Sequence, residues 1–226
     1  MVQHEIPSRD ETPPRTGARR RLAPEARTPQ ILEAAFAEFA ERGYAGARMA
    51  GVATRAGIAK GLIYHYFPSK SALFLATFRA ATGPAFEAAE RRIFVTGGPV
   101  RAMLADLIGV AYARLREAER ERALFRLMVA EADRFPELAR FYREEVLSRA
   151  AGLVHAMLHA GVASGEFRPE VAEMPCLAEA VMAPAVAGSV WRLILGKDDA
   201  PDLAALQAAH LDLLLAGLAV RQAPAR

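Results

Sequence analysis

Between residues 48 and 70 the chain concentrates side chains suited to gripping a polyanion: Arg48, Thr54, Arg55, Lys60, Tyr64, His65 and Lys70. Guanidinium and ammonium groups pair with phosphate oxygens, and Lys, Tyr and His also reach base edges in a groove. Ala59 and Gly61 flank Lys60 and are small enough for the backbone to approach a groove closely. No acidic residue stands between Glu41 and Glu87, while Arg42, Arg48, Arg55, Lys60, Lys70 and Arg79 fall in that interval. Residues 1–86 hold 12 Lys+Arg against 7 Asp+Glu and residues 87–226 hold 17 against 19, so the net charge of +3 divides into +5 and −2. A basic N-terminal third on a slightly acidic body is the electrostatic footprint of a nucleic-acid reader. By itself a charge run is more simply a solvated face. Its coincidence with a helical pattern decides for the reader.

That pattern spans Ala47 to Lys70. Met49, Val52, Ala53 and Ala56 share one face of a short helix, and Gly57 breaks it. Ile58, Leu62 and Ile63 then predict a short apolar face on a second helix, which offers Ala59, Lys60, Gly61, Tyr64 and His65 outward. Two short helices with Gly at the corner are the pattern of a helix-turn-helix unit. Lys60 is the first candidate for base or phosphate contact, with Tyr64, His65, Arg48 and Lys70 positioning phosphates. Thr54 and Arg55, on the supporting helix, rank after them. A preceding helix is expected from Thr28 or Pro29 to Arg42, with Gly43 ending it. Ser69 is expected to cap a fourth helix carrying Leu73, Phe74 and Phe78.

The run ILEAAFAEFAERGYAGARMAGVATRAGIAKGLIYHYFPSKSALF resembles the DNA-binding domain of the tetracycline-repressor (TetR) family of bacterial transcription factors. Gly43-Tyr44, the Ala53 to Gly57 turn, Lys60-Gly61, the cluster Tyr64-His65-Tyr66-Phe67 and Ser69-Lys70 carry the likeness. Family members commonly start the second helix with Thr or Ser, where this chain has Ala47 and Arg48; the resemblance therefore implies that phosphate contact passes to the Arg48 guanidinium. A residue that is often Ser at the start of the recognition helix is Ala59. FRLMVAEADRFPELARFYREEV and GVASGEFRPE are similar to the C-terminal domain of the AefR-like subgroup.

Other chemistries are poorly supported. His155 and His159 share a helix face, but neither an HExxH arrangement nor a Cys/His partner at ligand spacing completes a metal site. Glu131 and Asp133 are two apart and do not face each other on a helix. No nucleophile elbow, phosphate-cradling Gly loop or dinucleotide fingerprint occurs, so no enzyme activity, metal or cofactor is expected. The single cysteine, Cys176, excludes an internal disulfide and reads as a small hydrophobe in a reducing cytoplasm. No apolar run approaches the roughly 20 residues of a membrane span, and the N-terminus lacks the apolar core of a secretory signal.

The expectation is an all-α chain of about nine helices. Residues 1–23 form a disordered basic arm, 24–71 the three-helix DNA-binding domain, and 72–226 a larger effector-binding and dimerisation domain. The last two long helices carry more apolar residues than one internal face needs, Leu177, Val181, Val190, Leu193 and Ile194 on one and Leu203, Leu206, Leu211, Leu214 and Leu218 on the other. The resemblance implies that this pair meets its copy in a homodimer. Partners are a double-stranded palindromic operator and a small-molecule effector, and the function implied is one-component repression, with ligand-dependent activation as the alternative. Candidates for the effector pocket are Phe86, Met103, Leu107, Phe125, Met128, Met182 and Trp191, with Tyr112, Arg126, Glu131 and His155 as polar anchors.

Overall fold

Apolar residues at three- and four-residue spacing run through almost the whole chain, and each run closes into a helix against its neighbours. The computed structural model describes residues 24–95 and 98–220. In order these form α1 (Pro24–Gly46), α2 (Met49–Arg55), α3 (Lys60–Tyr66), α4 (Lys70–Val95), α5 (Val100–Glu117), α6 (Glu119–Glu131), α7 (Pro136–Phe141), α8 (Ser148–Ala163), α9 (Leu177–Asp199) and α10 (Leu203–Leu218). A π turn, Tyr142–Leu147, joins α7 to α8 without a break, so the described residues hold nine continuous helices. Among them there is no strand, only an isolated bridge between Phe167 and Ala219. The basic arm expected at residues 1–23 lies outside the described residues.

Several boundaries moved. α1 starts at Pro24 rather than at a Thr28 cap, and Pro29 sits in its second turn, where the missing N–H forfeits one backbone bond. Its helical geometry still ends where expected, at Gly43 with φ 68°. Pro84 does not interrupt α4, which runs unbroken over 26 residues. Pro84 and Ala80 are both exposed, so the carbonyl that the proline ring frees is open to water. Ser69 caps α4 as expected, its Oγ accepting from the Ala72 N–H at 3.0 Å. Helical segments 136–163 and Leu177–Asp199 are, contrary to expectation, long and apolar enough on length and composition to cross a bilayer, although polar residues interrupt both.

Two cores result. The first joins α1, α2, α3 and the start of α4 through Ile31, Phe39, Tyr44, Val52, Ile63, Leu73 and Phe74, and continues into Leu124, Met128, Leu138 and Phe141 of α6 and α7. Edge-to-face contacts tie it together, Phe39 to Phe74 at 5.0 Å and Tyr44 to Phe135 at 4.7 Å between ring centres. The packing therefore does not stop at residue 71. The second core gathers Leu104, Ile108 and Tyr112 with Val154, Leu158, Val181, Leu203 and Leu218 from α8, α9 and α10.

Candidate nucleic-acid interface and effector cavity

The turn between α2 and α3 is fixed by backbone chemistry. Gly57 takes φ 62°, its N–H donates to the Thr54 carbonyl at 3.1 Å, and the Ile58 N–H donates to the Ala53 carbonyl at 3.0 Å. These paired bonds form a Schellman motif, which needs the left-handed conformation that glycine adopts without strain. α3 then starts at Lys60 with Ala59 as its N-cap, and no side chain caps it. Of its seven residues only Ile63 is buried. Of the apolar face expected at Ile58, Leu62 and Ile63, Ile63 is buried and Ile58 packs half-buried against the first core, because a helix starting at Lys60 points positions 63 and 67 inward. Leu62, 39% exposed, stands outward with Lys60, Gly61, Tyr64 and His65. Nothing in its type separates such a leucine from a core residue; only the helix start does. Its side chain is suited to apolar contact with a thymine methyl.

The remaining candidates are placed by the body of the reader. Lys70 donates from Nζ to the Ala45 carbonyl at 3.1 Å and lies 4.8 Å from the centre of the Tyr44 ring, tying α4 to the end of α1. Thr54 is exposed, its hydroxyl donating to the Ala50 carbonyl at 3.0 Å. Arg48 is the exposed N-cap of α2. Arg55 has another engagement: its Nε donates to Glu38 Oε2 at 2.7 Å, and its Nη2 pairs with Glu41.

Glu38 is a residue the sequence reading passed over. Its side chain is 2% exposed, and its carboxylate also accepts from the Arg48 backbone N–H at 3.4 Å and faces Arg42 Nε at 3.4 Å. Burial alone would raise its pKa. The Arg55 hydrogen bond, the Arg48 N–H and the charges of Arg42 and Arg55 outweigh burial and hold the carboxyl below its ordinary value. Gly51 makes room for it, since a Cβ there would overlap the Glu38 carboxylate. A negative group is thereby fixed at the N-terminus of α2, where the helix dipole favours it. The signal available in the sequence was a Glu in the apolar phase of α1.

Below the reader, α4, α5, α6, α8, α9, α10 and the π turn line a half-open cavity of about 310 Å³. Four expected residues line it: Phe86, Leu107, Phe125 and Met182. The others lie elsewhere. Met128 is buried in the first core, Met103 packs against the second, and Trp191, 40% exposed, points outward from α9. Arg126 and His155 are exposed, and the Glu131 carboxylate accepts the Ala45 N–H at 3.3 Å. Tyr112 is fully buried behind the wall, its hydroxyl 3.3 Å from His210 Nδ1. His210 itself lines the cavity, and burial holds its imidazole below the ordinary value. Among the polar groups missed were Thr82, Arg114, Glu121, Arg122, Ser189, Arg192 and His210, all on helices.

α6 touches both places. Glu121, Arg122 and Phe125 face the cavity. On its other sides Arg120 donates to Glu33 Oε1 at 2.6 Å and lies 4.3 Å from the Phe36 ring centre, both on α1. Tyr44, at the same junction, has its phenol pKa pushed up to about 12, first by burial and then by the Glu137 charge.

Known proteins bear on both regions. The profile described as "Bacterial regulatory proteins, tetR family" matches residues 31–77, and that of the "AefR-like transcriptional repressor, C-terminal domain" matches residues 102–212. The HTH-type transcriptional repressor KstR2 of Mycolicibacterium smegmatis is 28% identical over 149 residues, 66% of this chain and 71% of that protein. The HTH-type transcriptional regulator RutR of Escherichia coli is 38% identical over 65 residues, 29% of this chain and 31% of that protein. A TetR transcription regulator from Haloarcula marismortui shares the fold with a TM-score of 0.72 at 16% identity, over 87% of this chain and 100% of that one. The regulator FadR from Bacillus subtilis, solved with stearoyl-CoA, does so with a TM-score of 0.65 at 24% identity, over 84% and 98%.

Proposed function

Since the chain belongs to the TetR family of bacterial regulatory proteins, we propose that it represses transcription as a homodimer on a palindromic operator and lets go when an effector enters its cavity. The outward set Lys60, Gly61, Leu62, Tyr64 and His65 on α3, held by the single buried anchor Ile63, carries this reading. In it residues 24–71 contact DNA, and residues 72–226 hold the effector and the dimer face. Arg48 and Lys70 position phosphates from either side of α3. Arg55 acts first as a tie to α1.

Release follows from a population shift. A ligand packed against Phe86 on α4 and Phe125 on α6 favours one tilt of those helices. Both also pack on α1, through Phe78 of α4 in the first core and Arg120 of α6 on Glu33. Two readers held at the wrong spacing no longer fit adjacent half-sites one helical turn apart.

Genomic footprinting of the tagged protein supplies the operator, and Lys60→Ala then tests the interface. The variant should bind that operator more weakly, with the slope of log affinity against log salt smaller by about one. Unchanged affinity and slope in a folded Lys60→Ala protein would remove α3 from the contact. Tyr64→Phe deletes one hydroxyl and should lose less.

A further inference from the structure

The charged groups of the cavity come from around the α5–α6 junction. Its body is walled by Phe86, Leu107, Phe125, Leu153 and Met182. Its three cations, Arg114, Arg122 and Arg192, come from the end of α5, the start of α6 and α9. Arg192 Nη1 donates to the Leu115 carbonyl at 3.2 Å, which fixes it at the α5–α6 junction beside the other two.

Their partners differ. Arg114 is locked to Glu121, its Nε 2.8 Å from Oε2 with a second contact between Nη2 and Oε1. Arg122 lies 3.9 Å from Glu119. Arg192 is half-buried, and among the described residues no carboxylate forms an ion pair with it. The bond to Leu115 uses one of five guanidinium N–H groups and supplies no counter-charge. Nearby hydroxyls are already committed as donors, Ser189 to the Ala185 carbonyl at 3.2 Å and Thr82 to the Phe78 carbonyl at 3.0 Å. A half-buried cation on the wall of an apolar cavity thus stands without an anion.

We infer that the cavity takes an amphiphile with an apolar body and one terminal carboxylate, the carboxylate pairing with Arg192 at the α5–α6 junction. The planar guanidinium fits a carboxylate through two parallel hydrogen bonds. The body then lies along Phe86, Phe125 and Met182. This assignment rests on the reading of the cavity as the effector site. It also places the ligand's charge against the start of α6, the helix that reaches α1.

Calorimetric titration of the full chain with decanoate, 1-decanol and decyltrimethylammonium tests it, on wild type, Arg192→Gln, Arg192→Lys and the cavity-filling Ala185→Phe, each checked for folding by thermal melting. Decanoate should bind wild type at least about tenfold more tightly than either analogue. Arg192→Gln should weaken decanoate by about 10- to 100-fold, the loss of a charge-assisted hydrogen bond, and leave decanol within about twofold. Arg192→Lys should restore part of the loss. Decanol binding as tightly as decanoate, or decanoate indifferent to Arg192→Gln, overturns the carboxylate assignment and leaves the cavity as effector site. Decanoate and decanol both binding Ala185→Phe as well as wild type overturns the cavity reading itself. Failure of decanoate to bind wild type overturns the inference.

Discussion

Glu38→Ala should lower the unfolding free energy by about 2–3 kcal/mol, from the loss of charge-assisted hydrogen bonds offset by relief of a buried charge. The carboxylate it removes holds Arg55 and the start of α2 against α1, so the reader should loosen more than the body. Denaturant unfolding measures the stability and operator retardation the reader. Glu38 also gives the reader a pH dependence with a definite sign. Its carboxyl is held below the ordinary 4.5, so the folded state binds its proton less readily than the unfolded chain. The stability it contributes is complete above pH 4.5 and drains away as the pH falls through the lowered value. Glu38→Gln should therefore flatten the acid limb of the stability profile. An acid limb identical to that of wild type would show that the carboxylate is not held as described.

Ile194→Glu combined with Leu213→Glu should turn a dimer into a monomer without unfolding it. Ile194 on α9 is 71% exposed and Leu213 on α10 is 74% exposed, and Val186, Trp191 and Leu195 add to the same unpaired apolar surface of α9. α10 is apolar on nearly every side, with Leu203 and Leu218 buried inward and Leu213 left outward. In the proposed dimer such a helix is covered on both faces. Splitting the pair removes the gain from reading two half-sites at once, so operator affinity should fall by about 10²- to 10⁴-fold. Sedimentation velocity reads the assembly, and retardation reads the affinity. A wild-type monomer at micromolar concentration, or a double variant that still binds the operator tightly, contradicts the dimer.

The reader was largely legible because it is built from local signals. A Schellman glycine at Gly57 and a serine cap at Ser69 leave marks within a few residues of where they act. The cavity was legible only by half. Phe86 and Met128 look alike as apolar residues at helical spacing, yet one faces the void and the other fills the first core. That difference arises from the angle at which α4 and α6 cross their neighbours, which no single run encodes. Arg55 shows the converse error. Its type and place suit a phosphate contact, and a partner 17 residues earlier, buried in α1, engages its guanidinium.

The π turn Tyr142–Leu147 has a consequence for length variation along the chain. Leu138 and Phe141 before it belong to the first core, while Val154, Met157 and Leu158 after it belong to the second. A uniform α-helix advances about 100° per residue, so inserting or deleting one residue swings every later side chain round the axis by that angle. The wider π turn spends more residues per turn than the α-helix on either side and so sets the phase of everything after it. Removing one residue from 142–147 would give a more regular helix and a worse protein. Val154, Met157 and Leu158 would rotate away from Leu104 and Ile108, and the wall that Tyr142, Val146 and Leu147 give the cavity would turn with them.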